Sequence, residues 1–175
     1  MKILAFGASS SKKSINKKLA TYVAGLFKDS QTETLDLNDY ELPLFSEDKE
    51  VELGKPKLAQ DFLSKIGDSD AIIISFAEHN GSYSAAYKNL FDWCSRINPK
   101  VFQGKSMIML STSPGAGGGA NVLSAAVKSA PYFDGKVEGS LSVGSFYDNF
   151  DAQSNVMKDG DIKDKIGELV KSLEG

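Results

Sequence analysis

The chain has 175 residues, 41% of them hydrophobic and 25% charged, which is the balance of a soluble globular protein long enough to bury a core without staples. A net charge of -3, scattered lysines and a single arginine, Arg96, argue against a nucleic-acid partner or an anionic membrane surface, since those need concentrated Lys and Arg. One cysteine, Cys94, excludes an internal disulfide. No apolar run approaches the roughly 20 residues of a membrane span, and no secretory signal pattern is present, so a cytoplasmic location is expected.

Ile3 to Phe6 is a short apolar run bounded by Gly7 and reads as a strand buried on both faces. A serine-rich loop follows, Ser9-Ser10-Ser11-Lys12-Lys13-Ser14. Ile15, Leu19, Tyr22, Val23, Leu26 and Phe27 then recur at spacings of three and four, the stripe of a core-facing helix. A loop that leaves a strand and enters a helix faces the helix's free N–H groups and positive dipole end. The pattern therefore predicts an anion cradle, with four serine hydroxyls as neutral donors. Ser14 as a plain N-cap, with Lys17 and Lys18 on a solvated face, explains one hydroxyl and leaves three.

Thr32 to Leu37 alternates, with Leu35 and Leu37 on one side, and reads as a more exposed strand. Residues 38–57 form a long connection containing Pro43, Gly54 and Pro56, the kind of segment that walls a site when ordered. Leu58, Phe62, Leu63 and Ile66 mark a short helix ending near Gly67. Ala71-Ile72-Ile73-Ile74-Ser75-Phe76 is the most strand-like run and is expected at the centre of the sheet.

Helical spacing returns from Ala85 to Ile97 and stops before Pro99. A fourth strand is expected over Ser106 to Leu110, a helix over Ala120 to Ala130, a fifth strand over Val137 to Val143 and a closing helix over Asp161 to Leu173. This alternation predicts an α/β fold: a parallel, doubly wound sheet with helices on both faces, forming a single domain over residues 1–175.

In such sheets ligands bind outside the carboxyl ends of the strands, where the strand order reverses. Three polar, glycine-bearing loops leave such ends: Gly7 to Ser14, Ala77 to Ser84, and Ser111 to Gly119. Gly81 permits close approach to a flat ring, although Asn80-Gly81 is also a common tight-turn dipeptide. His79 is the only histidine, so neither a histidine metal site nor a relay can be built. The glycines of the third loop depart from the dinucleotide fingerprint. Gly104-Lys105-Ser106 lacks the upstream glycine and following helix of a P-loop. No nucleophile elbow is present, and Cys94 on a helix face reads as a buried, inert thiol.

The three loops together resemble the NADPH-dependent FMN reductase family, flavodoxin-like flavoproteins that include quinone, azo and chromate reductases. Ser9, Ser11, Ser14 and Asn16 echo the family's Gly-Ser-x-Arg-x-x-Ser-x-Asn run. Ala77-Glu78-His79-Asn80-Gly81-Ser82 resembles its Pro-Glu-Tyr-Asn-Gly-Ser loop, and the Tyr83 to Trp93 stretch resembles the helix after it. Leu37 to Leu44 is similar to the acidic, proline-bearing segment after the family's second strand. Ser11 stands where the family has a phosphate-binding arginine, and His79 and Ala77 replace tyrosine and proline.

The resemblance implies a flavodoxin-like fold, a three-layer doubly wound sheet of five parallel strands in the order 2-1-3-4-5, with an FMN site. Ser9, Ser11, Ser14, Ile15 and Asn16 would surround the phosphate, and Ala77, Glu78, His79, Asn80, Gly81 and Ser82 would lie along the ring. Ser111, Ser113, Pro114, Gly115, Gly117 and Gly118 would close the other side. It further implies NADPH or NADH as electron donor, a small-molecule acceptor such as a quinone, flavin or azo compound, no catalytic side chain and no metal. A homodimer or homotetramer is expected on the same ground. The alternatives are a flavodoxin-type electron carrier and a flavin-free module for another phosphorylated metabolite.

Overall fold

The computed structural model describes residues 1–174. Its elements in chain order are β1 (Lys2–Ala8), α1 (Ile15–Ala24), β2 (Gln31–Leu35), a 3-10 turn (Leu37–Tyr40), α2 (Glu47–Leu53), α3 (Lys57–Gly67) and β3 (Ala71–Phe76). A small hairpin of β4 (Glu78–His79) and β5 (Ser82–Tyr83) precedes α4 (Ala85–Ile97). Then come β6 (Ser106–Thr112), α5 (Ala120–Ser129), a second 3-10 turn (Ala130–Phe133), β7 (Lys136–Val143), α6 (Phe146–Asn149), the paired β8 (Phe150–Asp151) and β9 (Val156–Met157), and α7 (Asp161–Glu174).

The five long strands form one sheet in the order β2-β1-β3-β6-β7, every neighbouring pair parallel. The alternation of elements called for a parallel sheet, and the 2-1-3-4-5 order is the one that the family resemblance implies. β3 is buried along its whole length, whereas the edge strand β2 is exposed until Leu35. The difference matches an unbroken apolar run in one and alternation in the other.

Side-chain alternation divides the core between the two faces of the sheet. Leu4, Phe6, Ile72, Ile74, Met107 and Met109 pack with residues of α3, α4 and α5. Ile3, Ala5, Ile73, Ile108 and Leu110 pack with α1 and α7 on the other face. Successive strand residues point to opposite faces, so a strand covered on both sides needs apolar residues at every position.

Elements not expected from the sequence include α2, α6 and the β8–β9 pair. α2 has no buried residue, and α6 and the β8–β9 pair are too short to show a period. Leu37, expected to end the second strand, instead begins the 3-10 turn, with its side chain still buried.

Candidate functional site

The register aligns the strand ends. Ala8 lies opposite Phe76, Phe76 opposite Ser111, and Ser111 opposite Ser142, so the loops after β1, β3, β6 and β7 all start from one row. β1 and β3 flank the point where the chain reverses its direction across the sheet, the usual ligand position in this architecture.

The first loop is anchored by its own backbone. Ser9 N–H donates to the Gly7 carbonyl, Ser11 N–H to Ser9 Oγ, and Ser14 N–H to the Ser11 carbonyl. Ser14 is the N-cap of α1, its hydroxyl accepting from Lys17 N–H at 3.1 Å. Among the described residues, the backbone N–H groups of Ser10, Lys12, Lys13, Ile15 and Asn16 have no acceptor, and the first turn of α1 carries no acidic residue. The donor set is that of an anion seat: free N–H groups at a helix start, the exposed Ser11 hydroxyl, and the exposed Lys12 and Lys13.

Gly7, not singled out from the sequence as a site residue, makes this seat possible. A Cβ there would lie 2.4 Å from Lys17 N, so only glycine lets the first turn of α1 approach the strand this closely. Its place near the end of a strand that feeds a strand-to-helix loop was the available signal.

Several of the residues expected at the site have side chains that are buried or bonded within the protein. Asn16 is 3% exposed, and its carboxamide holds Ser75 Oγ and both backbone groups of Thr112. Glu78 turns its carboxylate toward α5, accepting from Val122 N–H at 2.9 Å and Asn121 Nδ2 at 3.3 Å, because the N-cap of α5, Gly119, offers no side chain. Ser111 is buried and donates to the Gly118 carbonyl, which Ser142 also holds. A Cβ on Gly118 would meet Ser142 Oγ at 2.5 Å, so close packing against β7 requires glycine there. Ala77 and Ser9 are buried at the strand ends.

The remaining predicted residues stand at the open rim. Asn80 and Gly81 both have positive φ and form the two-residue tip of the β4–β5 hairpin, a turn of the type that Asn-Gly favours. His79, Asn80, Gly81 and Ser82 are exposed, as are Pro114, Gly115 and Gly117, while Ser113 and Ile15 are half-buried. A Cβ at Gly81, Gly115 or Gly117 would meet nothing within 4 Å, so open space lies beside the backbone there.

The loops are cross-tied. Ser84 Oγ donates to the Ala8 carbonyl at 2.8 Å and also accepts from Tyr87 N–H as the N-cap of α4, joining the second loop to the first. Lys17 is not merely solvated: its ammonium meets Asp36 Oδ2 at 2.6 Å, tying α1 to the turn after β2. That lysine and the backbone and side-chain N–H groups of Asn38 hold the Asp36 carboxyl at about 2. The segment after β2 walls a cavity of about 380 Å3 that opens on Ser10, with Asn38, Tyr40 and Leu42 facing Ala85 and Ala86. Asn89 and Trp93 of α4 hold that wall through the carbonyls of Leu42 and Pro43.

Among the described residues no helix is long and apolar enough to cross a membrane, and no cluster of three or more His, Cys, Asp or Glu has metal-site geometry.

Comparison with known proteins agrees with this arrangement. Residues 1–148 match the sequence model of the NADPH-dependent FMN reductase family. The chain is 31% identical to an NADPH:quinone oxidoreductase of Arabidopsis thaliana over 181 residues, covering 99% of this chain and 90% of that protein. It is 34% identical to a quinone reductase of Pseudomonas putida over 125 residues, 70% of this chain and 66% of that one. In fold it resembles a flavoenzyme NAD(P)H:(acceptor) oxidoreductase of Paracoccus denitrificans, with a TM-score of 0.75, 21% identity, and 99% and 97% of the two chains covered. With the match spanning the strand-end loops and a relative aligned over nearly its whole length, the chain belongs to the NADPH-dependent FMN reductase family, flavodoxin-like oxidoreductases.

Proposed function

We propose that the rim holds FMN non-covalently and that the protein passes two electrons from NADPH or NADH to a quinone, flavin, azo or similar acceptor. The observation that carries this reading is the single row of strand ends from which a free-N–H anion seat and two open glycine-bearing loops arise together. The donor chemistry fits the cofactor: a phosphate dianion suits the N-terminus of α1, and a flat ring needs backbone without side chains, as at Gly81, Gly115 and Gly117. When bound, FMN supplies the redox chemistry.

The residues divide the work. Backbone N–H groups of Ser10, Lys12, Lys13, Ile15 and Asn16, the Ser11 hydroxyl, and the hydroxyl hydrogens of Ser9 and Ser14 bind the phosphate, with Lys12 and Lys13 adding charge where Ser11 replaces arginine. The hairpin tip from His79 to Ser82 and the loop from Ser113 to Gly117 orient the ring from two sides. Asn16, Glu78, Ser84 and Ser111 hold those loops in place. No side chain acts as acid or base. A homo-oligomer and a cytoplasmic location complete the proposal.

An electron carrier of flavodoxin type is less well supported. The sole tryptophan, Trp93, is fully buried in α4 and donates to the Pro43 carbonyl, far from any stacking role at the rim.

The test is direct. The purified protein is loaded with FMN, freed of excess, and mixed anaerobically with NADPH or NADH while flavin absorbance is followed. Bleaching, then recovery on adding a quinone, is expected, with steady-state kinetics in which donor and acceptor take turns. Retained flavin that neither donor bleaches would overturn the reductase assignment.

A further inference from the structure

The loop after β6 is fastened along one side. Ser145 N–H donates to the Gly115 carbonyl at 2.9 Å, and Phe146 N–H to the Ser113 carbonyl at 3.1 Å. Ser142 Oγ reaches the Gly118 carbonyl at 3.1 Å, and Gly144 packs so closely on Ala116 that a Cβ there would run into the Ala116 carbonyl oxygen. The carbonyls of Ser113, Gly115, Ala116 and Gly118 thus all turn toward the end of β7 and the short strap that follows it.

In a trans peptide the N–H points opposite to the carbonyl of the same unit, and every peptide bond among the described residues is trans. Turning the carbonyls of Gly115, Ala116 and Gly118 toward the strap therefore turns the N–H groups of Ala116, Gly117 and Gly119 away from it. None of the three has an acceptor among the described residues, although Gly119 is buried. Buried backbone donors are nearly always paired, so this arrangement suits an acceptor brought by a ligand. The strap lies on the β7 side of the loop, whereas the other two rim loops leave β1 and β3 on the opposite side.

The strap is anchored in turn. Phe146 is fully buried and stacks on Phe150 with ring centroids 4.7 Å apart. Ser145 has a left-handed backbone, with φ 47°, which a residue bearing a side chain adopts at a cost. Asn149 offsets that cost: its Nδ2 donates to the Gly144 carbonyl at 3.0 Å and to the Ser145 carbonyl at 3.2 Å, closing the strap on itself.

We propose that Asn149 is a positioning residue for the redox reaction. By holding the Gly144–Ser145 strap in shape, it keeps the N–H groups of Ala116, Gly117 and Gly119 aimed at the cofactor and so favours the reduced ring over the oxidised one. The redox part rests on the reading that FMN occupies the rim. Two-electron reduction leaves the ring with more negative charge, and fixed N–H donors select the more negative form.

The test has two arms. In the cofactor-free protein, NMR hydrogen exchange of the Ser145 and Phe146 amides reads the hold on the loop. Asn149→Ala is expected to speed both about tenfold, with exchange in the middle of β3 unchanged. In the FMN-loaded protein, spectroelectrochemical titration reads the midpoint potential, expected to fall by about 30 mV as reduced FMN loses about tenfold in affinity relative to oxidised FMN. A merely structural loosening would weaken both forms alike and leave the potential where it was. Gly144→Ala, which pushes on Ala116 directly, should move the potential the same way, and Asn149 is half-buried, so its variant decides the matter if Gly144→Ala fails to fold. An unchanged potential in Asn149→Ala would overturn the redox role, and unchanged exchange at Ser145 and Phe146 would overturn the hold on the loop. An unaltered protein that takes up no FMN would remove the cofactor reading and the redox role with it, while the exchange arm still decides whether Asn149 holds the loop.

Discussion

Asn16 grips the backbone of Thr112 with both ends of its carboxamide. Oδ1 accepts from Thr112 N–H at 3.0 Å, and Nδ2 donates to the Thr112 carbonyl at 3.1 Å. The same Oδ1 accepts from Ser75 Oγ at 2.7 Å, so one side chain on the first turn of α1 fastens the ends of β3 and β6. The relationship ties the start of α1 to two neighbouring strand ends of the rim.

Asn16→Ala strands the Ser75 hydroxyl and the Thr112 N–H in a buried place. The unfolding free energy is expected to fall by roughly 2–4 kcal/mol, read from urea denaturation. FMN affinity should fall with it, because the first turn of α1 loses its tether. A loss below about 1 kcal/mol would show that the clasp does not organise the rim.

Ser11→Arg places a guanidinium where the family has one. FMN should bind about tenfold more tightly at low salt, with the gain shrinking as salt is raised. Fluorescence titration of FMN into the cofactor-free protein reads the change. An unaltered dissociation constant would argue that the loop from Ser9 to Ser14 is not where the phosphate sits.

The Lys17–Asp36 pair makes a pH-dependent contribution. The Asp36 carboxyl is lowered from 3.8 to about 2, so the unfolded chain takes up this proton first as the solution is acidified. The stabilisation is complete above the unfolded value and fades as pH falls toward the folded one. Asp36→Asn should therefore melt lower than the parent at neutral pH, with the gap closing by about pH 2. Both partners are about one-third exposed, so the gap should be modest and salt-sensitive. A gap that stays constant throughout acidification would sink this assignment.

Cys94 is fully buried, its thiol against the Ala59 carbonyl at 3.7 Å, and burial pushes its pKa up to about 12. Because the thiolate is the nucleophile, iodoacetamide at mildly alkaline pH should leave the native protein unlabelled and modify it readily in urea. Mass spectrometry distinguishes the two cases, and fast labelling of the folded protein would contradict the packing described.

Much of the architecture was readable because its signals are periodic. The run from Ala71 to Phe76 is buried at every residue, and the helical spacing from Ala85 to Ile97 bounds α4 at the same residues. α2 escaped notice for the opposite reason, since a helix with no buried face leaves no stripe. The rim was legible as three polar loops after strands, but the roles within it were not. Asn16 and Glu78 looked like ligand groups, and the structure assigns their side chains to Thr112 and to α5. Gly7 attracted no functional reading, yet it sets how near α1 comes to β1.

By itself the sequence determined the order and type of the main elements, the parallel sheet, and which loops leave strand ends, because hydrophobic periodicity and turn residues act over a few neighbouring positions. Only the tertiary structure decided which polar side chains face outward. A carboxamide or carboxylate forms its bonds with whatever backbone lies nearest in space, and for Asn16 that backbone is 96 residues away in the chain.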